Sequence, residues 1–298
     1  MAIITSIEKS LEVYEVCAKK KTAVPCFCTE NLASTHAAFA AADEIGQEYD
    51  ITNVPVILSF TARYPERQQL INYTPFSDPV EGFLAVRDDA LRLARKGGKF
   101  ENVMVFAHLD HGQPDADTDL FEMGKGFVSS VMYDCSAFPL EENMARTKKF
   151  KDKYSDDYLV EAIVDEIGMS GEEALVLTDP ANAKIYLEET GADLIVPNVG
   201  TEHQSTYIQA KYHADQACAV RDAIGHKMVL HGSSSLKKED VKRVGGDGIV
   251  KLNIWTTFER TAGQLLAKDT IANLPGILTQ ADIDAPMEEG KLGEAFKG

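Results

Sequence analysis

The chain has 298 residues, of which 44% are hydrophobic and 26% charged, the balance of an ordinary folded protein. This excludes intrinsic disorder, collagen-like repeats and an all-apolar membrane protein, and the length fits one large α/β barrel or two ordinary domains. Thirty basic against 47 acidic side chains leave a net charge of −17. That sign disfavours a nucleic-acid partner, and an anionic substrate would need local positive charge to overcome it.

The N-terminal stretch reaches Glu8 too early for a secretory signal. No run approaches the about eighteen apolar residues of a membrane span. Five cysteines (Cys17, Cys26, Cys28, Cys135 and Cys218) at unrelated spacings read as reduced thiols of a cytoplasmic protein. Cys26 and Cys28 would share one strand face, but without a second pair they are not expected to be a metal site.

Short apolar runs then alternate with longer amphipathic stretches. The runs are Ala23 to Phe27, Val54 to Phe60, Val103 to Leu109, Ser129 to Asp134, Leu159 to Glu166, Asp193 to Val199, Lys227 to His231 and Gly248 to Asn253. Near-continuous apolarity is the pattern of parallel strands covered by helices, and eight such units predict a (β/α)8 TIM barrel. One barrel domain over residues 1–298 is expected. Asp179 and Pro180 open a predicted helix that Gly191 should end. Ser235 is expected to cap the helix after the seventh run. Between the second and third runs, an excursion over 61–102 becomes helical only from Val80, and a stretch of that kind often serves a site or an interface.

The residues able to do chemistry collect at the predicted strand ends. His108, Asp110 and His111 close the third run, Glu166 the fifth and His231 the seventh, while His203 follows the sixth. Barrel enzymes place their catalytic groups on the rim where strands end. Imidazoles and a carboxylate there are suitable zinc ligands, and an adjacent acid can move protons. His36, His213 and His226 fall in helices or a loop and are taken as structural or surface residues. Gly232-Ser-Ser-Ser235 leads toward a helix, so it is a candidate phosphate loop, and Lys251 to Thr257 follows on the eighth strand.

Several stretches together resemble the class II, zinc-dependent ketose-bisphosphate aldolases of the fructose- and tagatose-bisphosphate type. They are Pro25-Cys-Phe-Cys-Thr-Glu-Asn31-Leu32, His108-Leu-Asp-His-Gly112, Ser130-Val-Met-Tyr-Asp134 and Pro139-Leu-Glu-Glu-Asn143. Further on come Glu166-Ile-Gly168, Gly171-Glu-Glu173, Val199-Gly-Thr-Glu-His203, Val229-Leu-His-Gly232 and Val250-Lys-Leu-Asn-Ile254. The order is the family's, from about residue 20 to about residue 265. The resemblance implies His111, His203 and His231 as zinc ligands, with Glu166 joining the metal shell as in some members. It implies Asp110 as the acid/base on the aldehyde-derived oxygen. Glu173, with Glu172 as the adjacent alternative, would exchange the proton on the nucleophilic carbon. Gly232, Ser233, Ser234, Asn253, Thr256, Asn31 and Ser59 form the implied substrate- and phosphate-binding set. The cofactor implied is Zn2+, with room for a monovalent cation, and the partners are a sugar or sugar phosphate and further copies in a homodimer or homotetramer.

The function expected is reversible aldol cleavage of a ketose or ketose phosphate to a dihydroxyacetone (phosphate) unit and an aldehyde. Zinc polarises the carbonyl, and no Schiff-base lysine is required. Departures from the family concentrate at the substrate end. Gln204 stands where glycine usually follows the second zinc histidine, and Gly232-Ser-Ser-Ser235 replaces a Gly-Gly-Ser-Gly loop, which implies a different loop shape. Trp255 adds bulk beside Asn253, and Cys135 replaces a frequent glycine. Altered specificity is therefore expected, with Lys251 a candidate attractor for an anionic substrate. Two alternatives stand beside this reading: a metal-dependent barrel hydrolase and a non-catalytic metal-binding barrel.

Overall fold

Each of the eight apolar runs contains a strand. The computed structural model describes residues 3–165, 167, 176–205, 211–279, 281–282, 284 and 288–290. Its strands are β1 (Ile3–Ile4), β2 (Val24–Cys28), β3 (Val54–Phe60), β4 (Val103–Gly112), β5 (Val128–Tyr133), β6 (Leu159–Ile163), β7 (Leu194–Val196), β8 (Met228–Leu230) and β9 (Ile249–Ile254). All pairings are parallel, and β2 to β9 run in sequence order around the sheet until β9 closes on β2. The result is the closed (β/α)8 barrel that the runs predict. The two-residue β1, unanticipated because it is too short to show a pattern, adds to β4 at Val105 and Phe106.

The helices are α1 (Ile7–Lys20), α2 (Leu32–Tyr49), α3 (Leu70–Tyr73), α4 (Pro79–Leu93), α5 (Thr118–Met123), α6 (Leu140–Tyr154), α7 (Pro180–Thr190), α8 (Ala214–Ile224), α9 (Lys238–Val241), α10 (Thr256–Ala272) and α11 (Leu274–Ile277). Local capping chemistry sets their ends. The Asp179 carboxylate accepts from the backbone N–H groups of Ala181 and Asn182, Pro180 opens α7, and Gly191 ends it with φ of 68°. Asp78 caps α4 in the same way, so the excursion resolves into a loop, the single turn α3 and an ordinary barrel helix.

Ser235 does not cap a helix. Ser233–Ser235 form a 3-10 turn, and the short α9 begins later, after Lys237, with no side-chain cap. The Ser235 hydroxyl instead donates to the Gly232 carbonyl at 2.7 Å. None of these serines takes a positive φ; the left-handed residue is Gly232, with φ of 67°. A Cβ there would come within 2.6 Å of the Glu202 carbonyl oxygen, so only glycine fits where the loop passes the Glu202 backbone.

The strands' alternation divides the core. Outward residues such as Val56, Leu58, Val105, Ala107 and Leu109 pack under the helices. Inward residues include Val24, Ile57, Phe106, Leu194 and Val229, which share a cluster with Tyr14 and Cys17 of α1. Helix α1 thus plugs the N-terminal end of the barrel with apolar side chains. The opposite end is polar.

The chain divides into two compact units, Met1–Trp255, which carries the barrel, and Thr256–Gly298 with α10 and α11.

Candidate metal centre and active site

Strand β4 carries the key side chains, and a local irregularity aims them. Alternation along the strand turns Phe106, His108 and Asp110 inward and should send His111 outward. Opposite β5, however, Leu109 pairs with Val131 and Gly112 with Tyr133, so three steps on β4 face two on β5. His111 sits in this bulge with φ of 48°. Such a left-handed non-glycine residue costs about 1–3 kcal/mol and persists where the surroundings enforce it. The bulge brings adjacent residues, Asp110 and His111, into one site.

His111, His203 and His231 come together: one ring nitrogen from each lies within 4.8 Å of the others. His111 Nδ1 lies 2.6 Å from Asp134 Oδ2. An ionised carboxylate only accepts, so Nδ1 carries the proton and the Nε2 lone pair is left facing the cluster. That Nε2 is buried without a partner. Burial favours the neutral acid of Asp134, but bonds from His111 and Ser136 hold its pKa down at about 2. His231 Nε2 lies 3.3 Å from Glu161 Oε1 and 3.0 Å from Asn253 Nδ2, which leaves Nδ1 as its free ring nitrogen. Burial lowers the pKa of both His203 and His231 below the ordinary imidazole value. Buried imidazoles whose ring nitrogens converge, one of them backed by a carboxylate, are the donor set zinc prefers. The residues fit a metal ion.

Asp110 lies alongside. Its carboxylate accepts from Arg67 Nη2 at 2.9 Å and Asn253 Nδ2 at 3.2 Å, and its Oδ1 is 3.8 Å from His231 Nε2. Burial pushes its pKa up, yet His111, His108, His231 and Arg67 outweigh that and hold it well below the carboxylate range. It is a charged base positioned against the histidine cluster.

Beneath these groups lies a second set, which sequence reasoning missed as a unit. His108, Asp110 and Glu161 would by type make another cation site. A cation is already there: the fully buried Lys251 ammonium, 2.7 Å from Glu161 Oε2 and 2.9 Å from His108 Nε2. Because the ammonium only donates, His108 accepts at Nε2 and carries its proton on Nδ1, 2.8 Å from Ser130 Oγ. After burial, Lys251 is the largest influence on Glu161, whose pKa falls to about 2. Lys251 is therefore engaged inside the barrel and not free to attract a substrate. Opposite charges inside otherwise apolar runs, Glu161 in β6 and Lys251 in β9, were the signal that could have revealed the pair.

The excursion supplies what the motifs did not. Arg63 is clamped to the Ala116 carbonyl, Asp117 and Asp119, at 2.8, 3.2 and 2.7 Å. Tyr64 stacks on His111 with ring centroids 4.1 Å apart and planes within 10°. Arg67 reaches Asp110 and lies 4.8 Å above the Trp255 ring. Segment 61–69 is therefore a wall of the site. A lone arginine and tyrosine in an aperiodic loop carry no pattern, so sequence alone had no means of finding them.

The remaining expected residues divide. Asn253 and Ser233 are joined to the cluster, the Ser233 hydroxyl donating to the Asn253 carbonyl. Ser234 Oγ and Ser59 Oγ are buried without partners, Ser59 lying beside Cys28. Asn31 is exposed and caps α2, accepting from Ser34 N–H at 2.9 Å. Gln204 adopts φ of 55°, so the backbone keeps the left-handed turn that a glycine would make without strain. Thr256 opens α10 in the second unit. Glu166, Glu172 and Glu173 lie outside the described residues.

Comparisons with known proteins agree with this architecture. The protein YdjI of Escherichia coli strain K12, described as uncharacterized, is 34% identical over 215 residues, covering 70% of each chain. The crystal structure of the YdjI aldolase from Escherichia coli K12 aligns with a TM-score of 0.64 at 24% identity, over 86% of this chain and 84% of that one. The fructose-bisphosphate aldolase of Campylobacter jejuni aligns with a TM-score of 0.72 at 19% identity, over 94% and 84%. At those identities the structural likeness establishes the fold. The family model for class II fructose-bisphosphate aldolase matches residues 8–289. Matched over nearly its whole length, the chain belongs to the class II fructose-bisphosphate aldolase family.

Proposed function

We propose that this protein is a zinc-dependent aldolase. It cleaves a ketose or ketose phosphate reversibly into a dihydroxyacetone (phosphate) unit and an aldehyde. The observation that carries the reading is the convergence of three imidazoles beside a charged, buried Asp110. His111, His203 and His231 would hold the ion, with Glu166 as a further ligand. Bound Zn2+ supplies Lewis-acid stabilisation of charge developing on the substrate carbonyl oxygen.

The protein's own groups do the rest. Asp134 holds the His111 ring in the tautomer that presents Nε2. Asp110 takes the proton from the C4 hydroxyl as the C3–C4 bond breaks, and returns it in the condensation direction. Asn253 Nδ2 donates to Asp110 Oδ1, and the amide oxygen of Asn253 is left free for a substrate hydroxyl. Glu173 would exchange the proton at C3. Gly232, Ser233 and Ser234 form the loop for the dihydroxyacetone end, shaped here as a 3-10 turn. A homo-oligomer in the cytoplasm completes the proposal.

The test is an assay of phosphorylated and free ketoses for released aldehyde, run with and without a chelator. Cleavage should vanish with zinc removal and return on its addition, and Asp110→Ala should retain zinc but lose at least about a hundredfold in rate. Undiminished turnover in chelator would end the zinc reading.

A further inference from the structure

Arg67 stands at the site, bonded to Asp110, and the reaction proposed above gives it no role. Segment 61–69 is built to hold it. Arg63 ties one end of the segment to the loop before α5, and Tyr64 rests on His111. The hydroxyl of Thr61 donates to the Arg67 carbonyl, and Leu70 N–H donates to the Thr61 carbonyl at 3.0 Å. The guanidinium is then sandwiched between the Trp255 ring and Asp110, with a side chain only 17% exposed.

Among the described residues, only one corner of the guanidinium is engaged. Nη2 donates to Asp110 Oδ2 and approaches Cys28 Sγ at 4.0 Å. Nε is buried and has no acceptor. A planar fork fixed on an aromatic face with a free N–H edge is suited to two-point recognition of a carboxylate or phosphate. Trp255 Nε1, on the ring against which Arg67 rests, is also buried without an acceptor. In a chain of net charge −17, a cation at this place is a specific local device.

Position decides which part of a substrate it meets. If Asp110 serves the C4 hydroxyl, a group bonded to Asp110 from outside the histidine cluster lies along the aldehyde half. We propose that Arg67, stacked on Trp255, is the specificity-determining receptor for an anionic oxygen group, carboxylate or phosphate, on the aldehyde half of the substrate. This rests on the aldolase reading above. It also gives the excursion a role: it carries a cation to a mouth whose other buried cation, Lys251, is neutralised by Glu161.

The experiment measures kcat/KM in the condensation direction, with dihydroxyacetone phosphate and dihydroxyacetone as donors. The acceptors are glyceraldehyde 3-phosphate, succinic semialdehyde and neutral glyceraldehyde, the first two separating phosphate from carboxylate. For the wild type, at least one anionic acceptor should exceed glyceraldehyde by about tenfold or more, one bidentate charged contact being of that order. Arg67→Gln should bring that ratio toward one, and Arg67→Lys, which keeps charge but loses the fork, should fall between. The ratio cancels any loss common to all acceptors, so a purely structural role would leave it unchanged. An unchanged ratio in Arg67→Gln, or no anionic preference in the wild type, overturns the proposal. Because Trp255 is the chain's sole tryptophan, its emission gives a readout free of turnover. Titration with 3-phosphoglycerate or succinate should alter it in the wild type and not in Arg67→Gln at equal zinc content. If no acceptor condenses, the aldolase reading fails, and emission alone decides the anion receptor: a response surviving in Arg67→Gln, or absent from the wild type, refutes it. If Arg67→Gln does not fold, as judged by circular dichroism, Arg67→Lys carries the same comparison.

Discussion

The two ends of the barrel interior are built from the same strands and behave as different materials. On β2, Cys26 lies in the apolar cluster above α1, whereas Cys28, two residues on, touches Asp110. On β4 the same step leads from Phe106 to His108 and again to Asp110. The lower end needs only volume and apolarity, and α1 closes it. The upper end holds buried charges that stay charged because each has a partner: Glu161 with Lys251, Asp134 with His111, Asp110 with Arg67. Burial penalises ions strongly, so such a layer persists only as a complete network. The lesson is that the lower end carries stability and the upper end spends conformational freedom on holding ligands in place.

Breaking one pair should separate the two ends most sharply. Lys251→Met leaves the Glu161 charge buried and unpaired, and should lower unfolding free energy in urea by about 3–5 kcal/mol. The double variant Lys251→Met/Glu161→Leu should regain most of that loss. If both lose equally, the ion pair is not the cause. A smaller effect is expected from Asp134→Asn, which keeps shape but weakens the hold on His111 Nδ1. Zinc affinity by chelator competition should fall about 10–100-fold, with the lower end and the urea midpoint little affected. Unaltered affinity would show that Asp134 does not orient the ligand.

The smallest effect belongs to the lower end and to alkaline pH. Burial pushes the Cys17 thiol up to about 11, above the ordinary thiol value. The unfolded thiol therefore ionises first, and stability should be intact below about pH 9 and decline as pH rises toward 11. Cys17→Ala should flatten that decline in a pH series of urea midpoints. An identical slope in both proteins would remove Cys17 from the account.

Much of this was readable beforehand, and the reasons are physical. The eight strands show because a strand buried on both faces must be apolar throughout, and α7 shows because Asp179, Pro180 and Gly191 cap it through local geometry. The histidine cluster shows because parallel strands all end on one rim. Ser235 misled because a serine before a helix is a good cap only if the helix starts there, and the chain first makes a 3-10 turn. Arg67 and Tyr64 were invisible because a loop's path is set by distant anchors such as the Arg63 clamp.

By itself, then, the sequence determined the barrel and the rim on which its histidines and acids collect, both of which follow from short-range periodicity, and it carried the motifs that resemble the family. Tertiary structure alone decided that Glu161 meets Lys251 ninety residues away, and that Arg67 meets Asp110 across 43. It also decided that a bulge turns His111 back beside Asp110. The reason is that closing the barrel sets which inward side chains face one another, and buried charges then require partners at whatever sequence distance the closure supplies.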